Sequence, residues 1–355
     1  SPSLKLKPQH TAKAFGWQQA AVEVYGGPLP NQWLDRELGV AGRLVTRSGE
    51  QVLVRTPAWL RVPQVAPHLD RSVTENLHLD RQQHLKPIFA VGRPDLDLLA
   101  LIAELADVDP GDVLGHDLYC YVTEPPAVFG PAGEFFAAAR LDNLSSVHAG
   151  LAALLGADEG SDITVLACFD HEEVGSASRS GGAGPLLEQV MRRIAGTLGV
   201  HGDGWHRMLA RSSCISADAG HAVHPNHPHL HDPEHRPLPN GGPLLKHNAS
   251  LRYTSDATSS ALWRRACGAV TGACLTGAGG NGRPVPARIA GSHVTPYRRI
   301  TCAPDELAGA KVLVRVVDHR PLMSQSCQPF ADGRVHGRFD IDLTPGLEAP
   351  ARRIA

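Results

Sequence analysis

Two acidic strings and one separate aspartate have the types and spacing to do chemistry. Asp170-His171-Glu172-Glu173 follows the apolar run Ile163–Phe169, and Ala217-Asp218-Ala219-Gly220-His221 follows the short strand read at Ser213–Ser216. Asp142 lies in Arg140-Leu141-Asp142-Asn143, where a helical pattern begins. Carboxylates crowded into a low-dielectric site repel one another, and a bound cation resolves the conflict. Adjacent glutamates after a strand also allow a division of labour. One can ligate a metal while the other takes a proton from metal-bound water. Taken singly, each acid is an ordinary loop carboxylate in a surface ion pair. Taken together, at strand and helix ends, they weaken that reading, and spacing alone leaves both open.

The elements that must position these acids follow from periodicity. From about residue 127 the chain alternates strand and helix. Asp142 and Asn143 can cap a helix carrying Leu144, Val147, Leu151 and Leu155. Ile163–Phe169 reads as a buried parallel strand. Pro185–Leu198 reads as a helix with Leu187, Val190, Met191 and Ile194 on its apolar side, and Ala257–Val270 as another. This alternation predicts an α/β fold: a mixed, mostly parallel sheet sandwiched by helices, with ligands gathered at the carboxyl ends of its strands. Residues 12–126 differ. They read as strand-rich, with a hairpin at Ser48-Gly49 and a single helix over Pro94–Asp107. The expected division is therefore 1–11 and 127–355 as the main domain, with 12–126 inserted as a β-rich lobe.

Composition excludes several classes. The 355 residues carry a net charge of -2, and only 5% are aromatic. Neither a general electrostatic attraction to nucleic acid nor a stacking platform for single strands is expected. No apolar run approaches the ~20 residues of a membrane helix, so no membrane partner is expected. No signal peptide is visible, and Ser1 reads as the start of a fragment or a processed chain. The seven cysteines are scattered without a CxxC, which fits a reducing, cytoplasmic location. Histidine is abundant, at 19 residues, with a cluster between His221 and His235. Pro225, Pro228, Pro233 and Pro237 punctuate that stretch, which reads mainly as a solvated loop.

Several strings carry a family resemblance. Glu23-Val24-Tyr25-Gly26-Gly27, then Trp33-Leu34-Asp35-Arg36, then Ala41-Gly42-Arg43 resembles the EVYGG, WxDR and AGR pattern of M18 metallo-aminopeptidases, a family that includes aspartyl aminopeptidases. Arg140–Asn143 resembles its RLDN, and Phe169–Ser176 (FDHEEVGS) its FDHEEIGS. Ser216–Asn226 is similar to SxDMAHxxHPN, with Ala219-Gly220 in place of Met-Ala. Lys246-His247-Asn248 with Leu251-Arg252-Tyr253 resembles IKxNxxQRY. The motifs stand in family order over roughly residues 1–270.

The resemblance implies a zinc aminopeptidase with two Zn2+ ions per subunit. Asp142 would bridge the metals, Glu173 would bind one and Asp218 the other, and Glu172 would be the general base. Lys246 would face the substrate's first side chain and favour peptides with acidic N-terminal residues, with Tyr253 and His221 lining the same site. His68 would reach from the inserted lobe, which mediates dimerisation, into a neighbouring subunit. A homo-oligomer is implied, dimers assembling to a dodecamer.

Both ends depart from the pattern. The family's ligand histidine in His-Thr-Asp-Ser-Pro would precede Ser1. After about residue 272 the match is poor, and Gln325 falls where a second ligand histidine belongs. The tail reads as divergent or frame-shifted. His293, His319 or His336 would be the available substitutes. Two rival readings remain: an inactive subunit that keeps the fold and an assembly role, and a two-metal deacylase or amidohydrolase on a similar sheet.

Overall fold

The computed structural model describes residues 1–157, 162–234, 236–239, 243–247, 249 and 255–271, together with strands at 275–276, 292–296 and 311–316. Its first part is a closed antiparallel sheet. The strands are β1 (Ser3–Ala14), β2 (Trp17–Tyr25), β3 (Glu37–Thr46), β4 (Gln51–Arg55), β5 (Leu60–Arg61), β6 (Ile88–Val91) and β7 (Val113–Val122). They run in the order β4-β3-β5-β6-β2-β1-β7, and an additional β3–β7 pairing closes the ring. The expected hairpin forms as β3–β4, with Val45 opposite Gln51.

Alternation explains the core. Leu4 and Leu6 of β1, Ala20 and Val22 of β2, Leu38 and Val40 of β3 and Leu118 of β7 are all buried on the inner face. Helix α1 (Leu98–Leu105) lays Leu98 and Ile102 onto this core. Asp97 caps it by accepting a hydrogen bond from the Ala100 N–H. Ser3–Leu6 of β1 pairs with Val22–Tyr25 of β2. The boundary expected after residue 11 therefore falls inside a strand, because the backbone of residues 3–11 already belongs to this sheet.

The second part begins with a short hairpin, β8 (Ala127–Phe129) and β9 (Phe135–Ala137). Then come α2 (Leu141–Leu155), β10 (Ile163–Ala167), α3 (Leu186–Thr197), α4 (Asp203–Arg211), β11 (Ser213–Ala217), β12 (Leu244–Leu245), α5 (Ala257–Thr271), β13 (Leu275–Thr276), β14 (Ser292–Pro296) and β15 (Lys311–Val316). Their sheet has the order β10-β15-β11-β14-β12-β13. It is mixed but not mostly parallel. Its first three pairings, β10–β15, β15–β11 and β11–β14, are antiparallel, and only those of β12 with β13 and β14 are parallel. Periodicity could reveal β10 and β11 as strands but not that β15, far along the chain, inserts between them.

A smaller core holds this part together. Phe169, Met191, Ala195, Trp205 and Met208 are buried against Ile163, Val165, Ile194 and Cys214. Among the described residues no helix is long and apolar enough to cross a membrane. The segment from His319 onward lies outside the described residues.

Candidate active site

The two adjacent glutamates sit on a tight turn behind β10. Phe169 anchors the strand end in the small core. The Asp170 N–H then donates to the Ser180 carbonyl at 3.0 Å. His171 takes a left-handed conformation (φ 61°), and a 3₁₀ turn over Glu172–Val174 closes at Gly175 (φ 90°). The Gly175 and Ser176 N–H groups return to the carbonyls of Glu172 and His171, and His171 Nδ1 lies 2.8 Å from Ser178 Oγ. Glycine is required behind this turn. A Cβ at Gly181 would stand 2.0 Å from the Ser176 carbonyl oxygen, and one at Gly184 would stand 1.9 Å from that of Ser178.

Asp142 comes from the first turn of α2, where unpaired helix N–H groups favour an anion. It does not cap the helix. Arg140, in the left-handed region at φ 62°, occupies the cap position and makes no side-chain capping bond. Ser1 Oγ donates to the Asp142 carbonyl at 2.8 Å, and the Ser1 amino nitrogen lies 3.3 Å from Glu173 Oε1.

The closed sheet supplies the facing wall. Tyr25 and Tyr119 meet edge to face at 5.3 Å, and Tyr25 lies beside the His171 ring. An open cleft of about 1120 Å³ runs between this wall and the turn. Tyr25, Tyr119, Arg36, Arg140, Asp142, Glu172 and Glu173 are among the residues that line it.

These groups are electrostatically coupled. Burial pushes the Glu172 carboxyl up to about 7, and the carboxylates of Glu173, Asp142 and Asp218 push in the same direction, with the nearby Ser1 amino group acting against them. Burial, Tyr119 and the acids Asp170, Glu173 and Glu172 push the Tyr25 phenol up to about 12. Tyr25 belongs to the Glu23–Gly27 string, which by itself assigns it no role. Its approach to the acids depends on a contact between the two sheets that no local pattern reveals.

Asp218 follows β11 and is held by Lys246, whose Nζ lies 3.0 Å from Asp218 Oδ2. The structure thus brings Asp142, Glu172, Glu173, Asp218 and Lys246 into one neighbourhood. His68 sits in an exposed turn and His221 in an exposed loop; like Asp218 and Lys246, neither is among the residues that line the cleft. Tyr253, Gln325, His319 and His336 lie outside the described residues, while His293 falls on β14.

A zinc site normally takes three or four donors, with nitrogen or sulfur among them. Among the described residues no group of three or more His, Cys, Asp or Glu is arranged to hold a metal. Asp218 faces the Lys246 ammonium. In this arrangement the acids do not fit a zinc ion.

Residues 1–274 match the family described as aminopeptidase I zinc metalloprotease (M18). A probable M18 family aminopeptidase 2 of Streptomyces coelicolor is 49% identical over 275 residues, which cover 75% of this chain and 64% of that protein. The chain thus spans less than two thirds of that relative's length. Among solved structures, the M18 aminopeptidase of Thermotoga maritima is similar with a TM-score of 0.64 at 18% identity, over 88% of this chain and 79% of that one. The mApe1 dodecamer of S. cerevisiae gives a TM-score of 0.59 at 23% identity, over 87% and 76%. At these identities the structural likeness concerns the fold.

Proposed function

This chain belongs to the M18 family of zinc metalloproteases, and from that membership we propose that it is an aminopeptidase that removes N-terminal residues from peptides, preferring Asp and Glu. The observation that carries the reading is the convergence of Asp142, Glu173 and Asp218 around Glu172, whose carboxyl is pushed up to about 7. A carboxyl poised near neutrality is suited to general base work. Glu172 takes a proton from the attacking water and passes it to the leaving amine. The cleft beside it admits an extended peptide end. Lys246 recognises an acidic first side chain through a charge-assisted hydrogen bond.

Asp142, Glu173 and Asp218 are the proposed zinc ligands, two ions per subunit, once the arrangement around Asp218 has opened. The remaining parts of the proposal are a homo-oligomer of dimers building to a dodecamer, dimerisation through the closed sheet, and a cytoplasmic location. The exposure of His68 and the dodecameric assembly of the S. cerevisiae relative support the oligomer. An acidic aminoacyl amide assayed beside an N-acyl amino acid tests the reaction class. Cleavage of the first alone is expected, and cleavage of the second alone would make the chain an amidohydrolase.

A further inference from the structure

Arg36, Arg43 and Arg140 line the cleft, and the first two are occupied. Arg36 pairs with Glu124, and Arg43 with Asp117 at 2.8 Å. Arg140 differs. It is exposed, its guanidinium carbon lies 5.8 Å from the centre of the Tyr121 ring, and among the described residues no carboxylate pairs with it. Ala137, Ala138 and Ala139, which precede it, also line the cleft and carry no group that could.

The platform under Arg140 is fixed. Tyr121, on β7, is 6% exposed. Its hydroxyl donates to the Thr56 carbonyl at 2.6 Å and accepts from Arg55 Nε at 2.9 Å. Its cross-strand partner on β3 is Gly39, where a Cβ would stand 2.5 Å from the ring. A guanidinium over such a ring is attracted by the negative face, while the N–H donors at its own edge stay available. A carboxylate can take two of them in parallel. The backbone is shaped to the same end. Arg140 has φ 62°, a left-handed conformation that strains a residue with a side chain, and strain of this kind gathers where geometry is functional.

We propose that Arg140 binds the C-terminal carboxylate of a short peptide, and so makes short peptides with a free C-terminus the preferred substrates. The inference rests on the aminopeptidase reading, which puts the reacting bond at Glu172. Glu172 and Glu173 line the cleft with Arg140, whereas Lys246, assigned the first side chain, does not. The first residue is thereby directed away from the cleft and the rest of the peptide into it. A short chain laid along the cleft ends in a carboxylate, and Arg140 is the arginine there without one.

The experiment compares a free acid with its amide on the full 355-residue chain. The ligands are aspartyl-alanyl-leucine, its C-terminal amide, and aspartyl-glutamyl-leucine amide. Each is assayed for turnover, and each is also titrated calorimetrically in a form whose first peptide bond is reduced and cannot be cleaved. The free acid is expected to exceed its amide about tenfold in kcat/KM and in affinity, the worth of a hydrogen bond to a charged group at an exposed site. Arg140→Gln is expected to bring that ratio to about one, and Arg140→Lys to keep part of it. Arg140→Gly separates the side chain from the backbone. It suits the left-handed conformation, so its urea midpoint is expected to be no lower than the parent's while the free-acid preference is lost. Equal binding of acid and amide by the parent overturns the proposal, as does a preference that survives in folded Arg140→Gln. If the glutamyl amide binds as tightly as the free acid, and through Arg140, the C-terminal assignment falls. Turnover without a free-acid preference would keep the aminopeptidase reading and sink the proposal. Arg140-dependent binding of the free acid without turnover would keep the carboxylate site and sink the functional reading.

Discussion

Gly26, in the closed sheet's turn after β2, presses directly against Glu173 on the acidic turn: a Cβ at Gly26 would stand 2.7 Å from the Glu173 Cβ. Gly26 also has φ +74°, a conformation that L side chains rarely adopt. The contact is a physical reason for finding Glu23–Gly27 and Phe169–Ser176 in one chain. The first string makes room for the second.

Gly26→Ala is therefore expected to push Glu173 out of place and to strain the turn, costing about 1–3 kcal/mol of stability. Urea unfolding measures the cost. Activity in any active preparation should fall more steeply than stability does, because a displacement of about 1 Å at a reacting centre can cost a hundredfold.

The pH dependence of stability has a definite sign. The Glu172 carboxyl ordinarily titrates at 4.5 and is raised to about 7 in the folded chain. Between those values the folded chain holds a proton that the unfolded chain has released. The group's contribution is full below the lower value and is lost as pH rises through the upper one. Glu172→Gln should flatten this slope. In chelator, the variant should exceed the parent near pH 8 by on the order of 1–2 kcal/mol, after a discount for solvent screening. Equal stability of the two proteins at both ends of the range would reject the coupling.

Lys246→Ala should narrow substrate choice toward neutrality. The ratio of kcat/KM for an aspartyl over a leucyl amide is expected to fall by about 10- to 100-fold, the worth of a hydrogen bond to a charged group. An unchanged ratio would remove Lys246 from substrate recognition.

The closed sheet should carry much of the stability. Leu38 and Leu118 are fully buried in its larger core. Truncating either to alanine should cost about 2–5 kcal/mol in denaturant unfolding. Leu53 of β4, which is 81% exposed, should tolerate the same change within about 0.5 kcal/mol.

What could be read from sequence follows the range of the interactions. The hairpin at Ser48-Gly49, helix α1 and α3 after Pro185 all depend on neighbours within a few residues. Local pattern revealed each of them. The pairing of β1 with β2 and β7 does not depend on local pattern alone, so the sheet that takes up residues 3–11 cannot be read from spacing. The insertion of β15 between β10 and β11 is longer in range still, and it replaced the expected parallel order with antiparallel pairs. Helix α4 escaped notice, although Trp205, Met208 and Leu209 at helical spacing were its signal. In the site, the acids were visible as types and strings. The partner of Asp218 was not, because an ion pair across a sheet leaves no trace in spacing.

The central claim is that Glu172 is the base of an aminopeptidase, and the most direct test is release of aspartate from an aspartyl dipeptide by zinc-supplemented parent and Glu172→Gln proteins, both checked for folding. The account predicts hydrolysis by the parent and a loss of about a hundredfold or more in the variant, the scale of general base catalysis. A folded Glu172→Gln protein that releases aspartate as fast as the parent would contradict it.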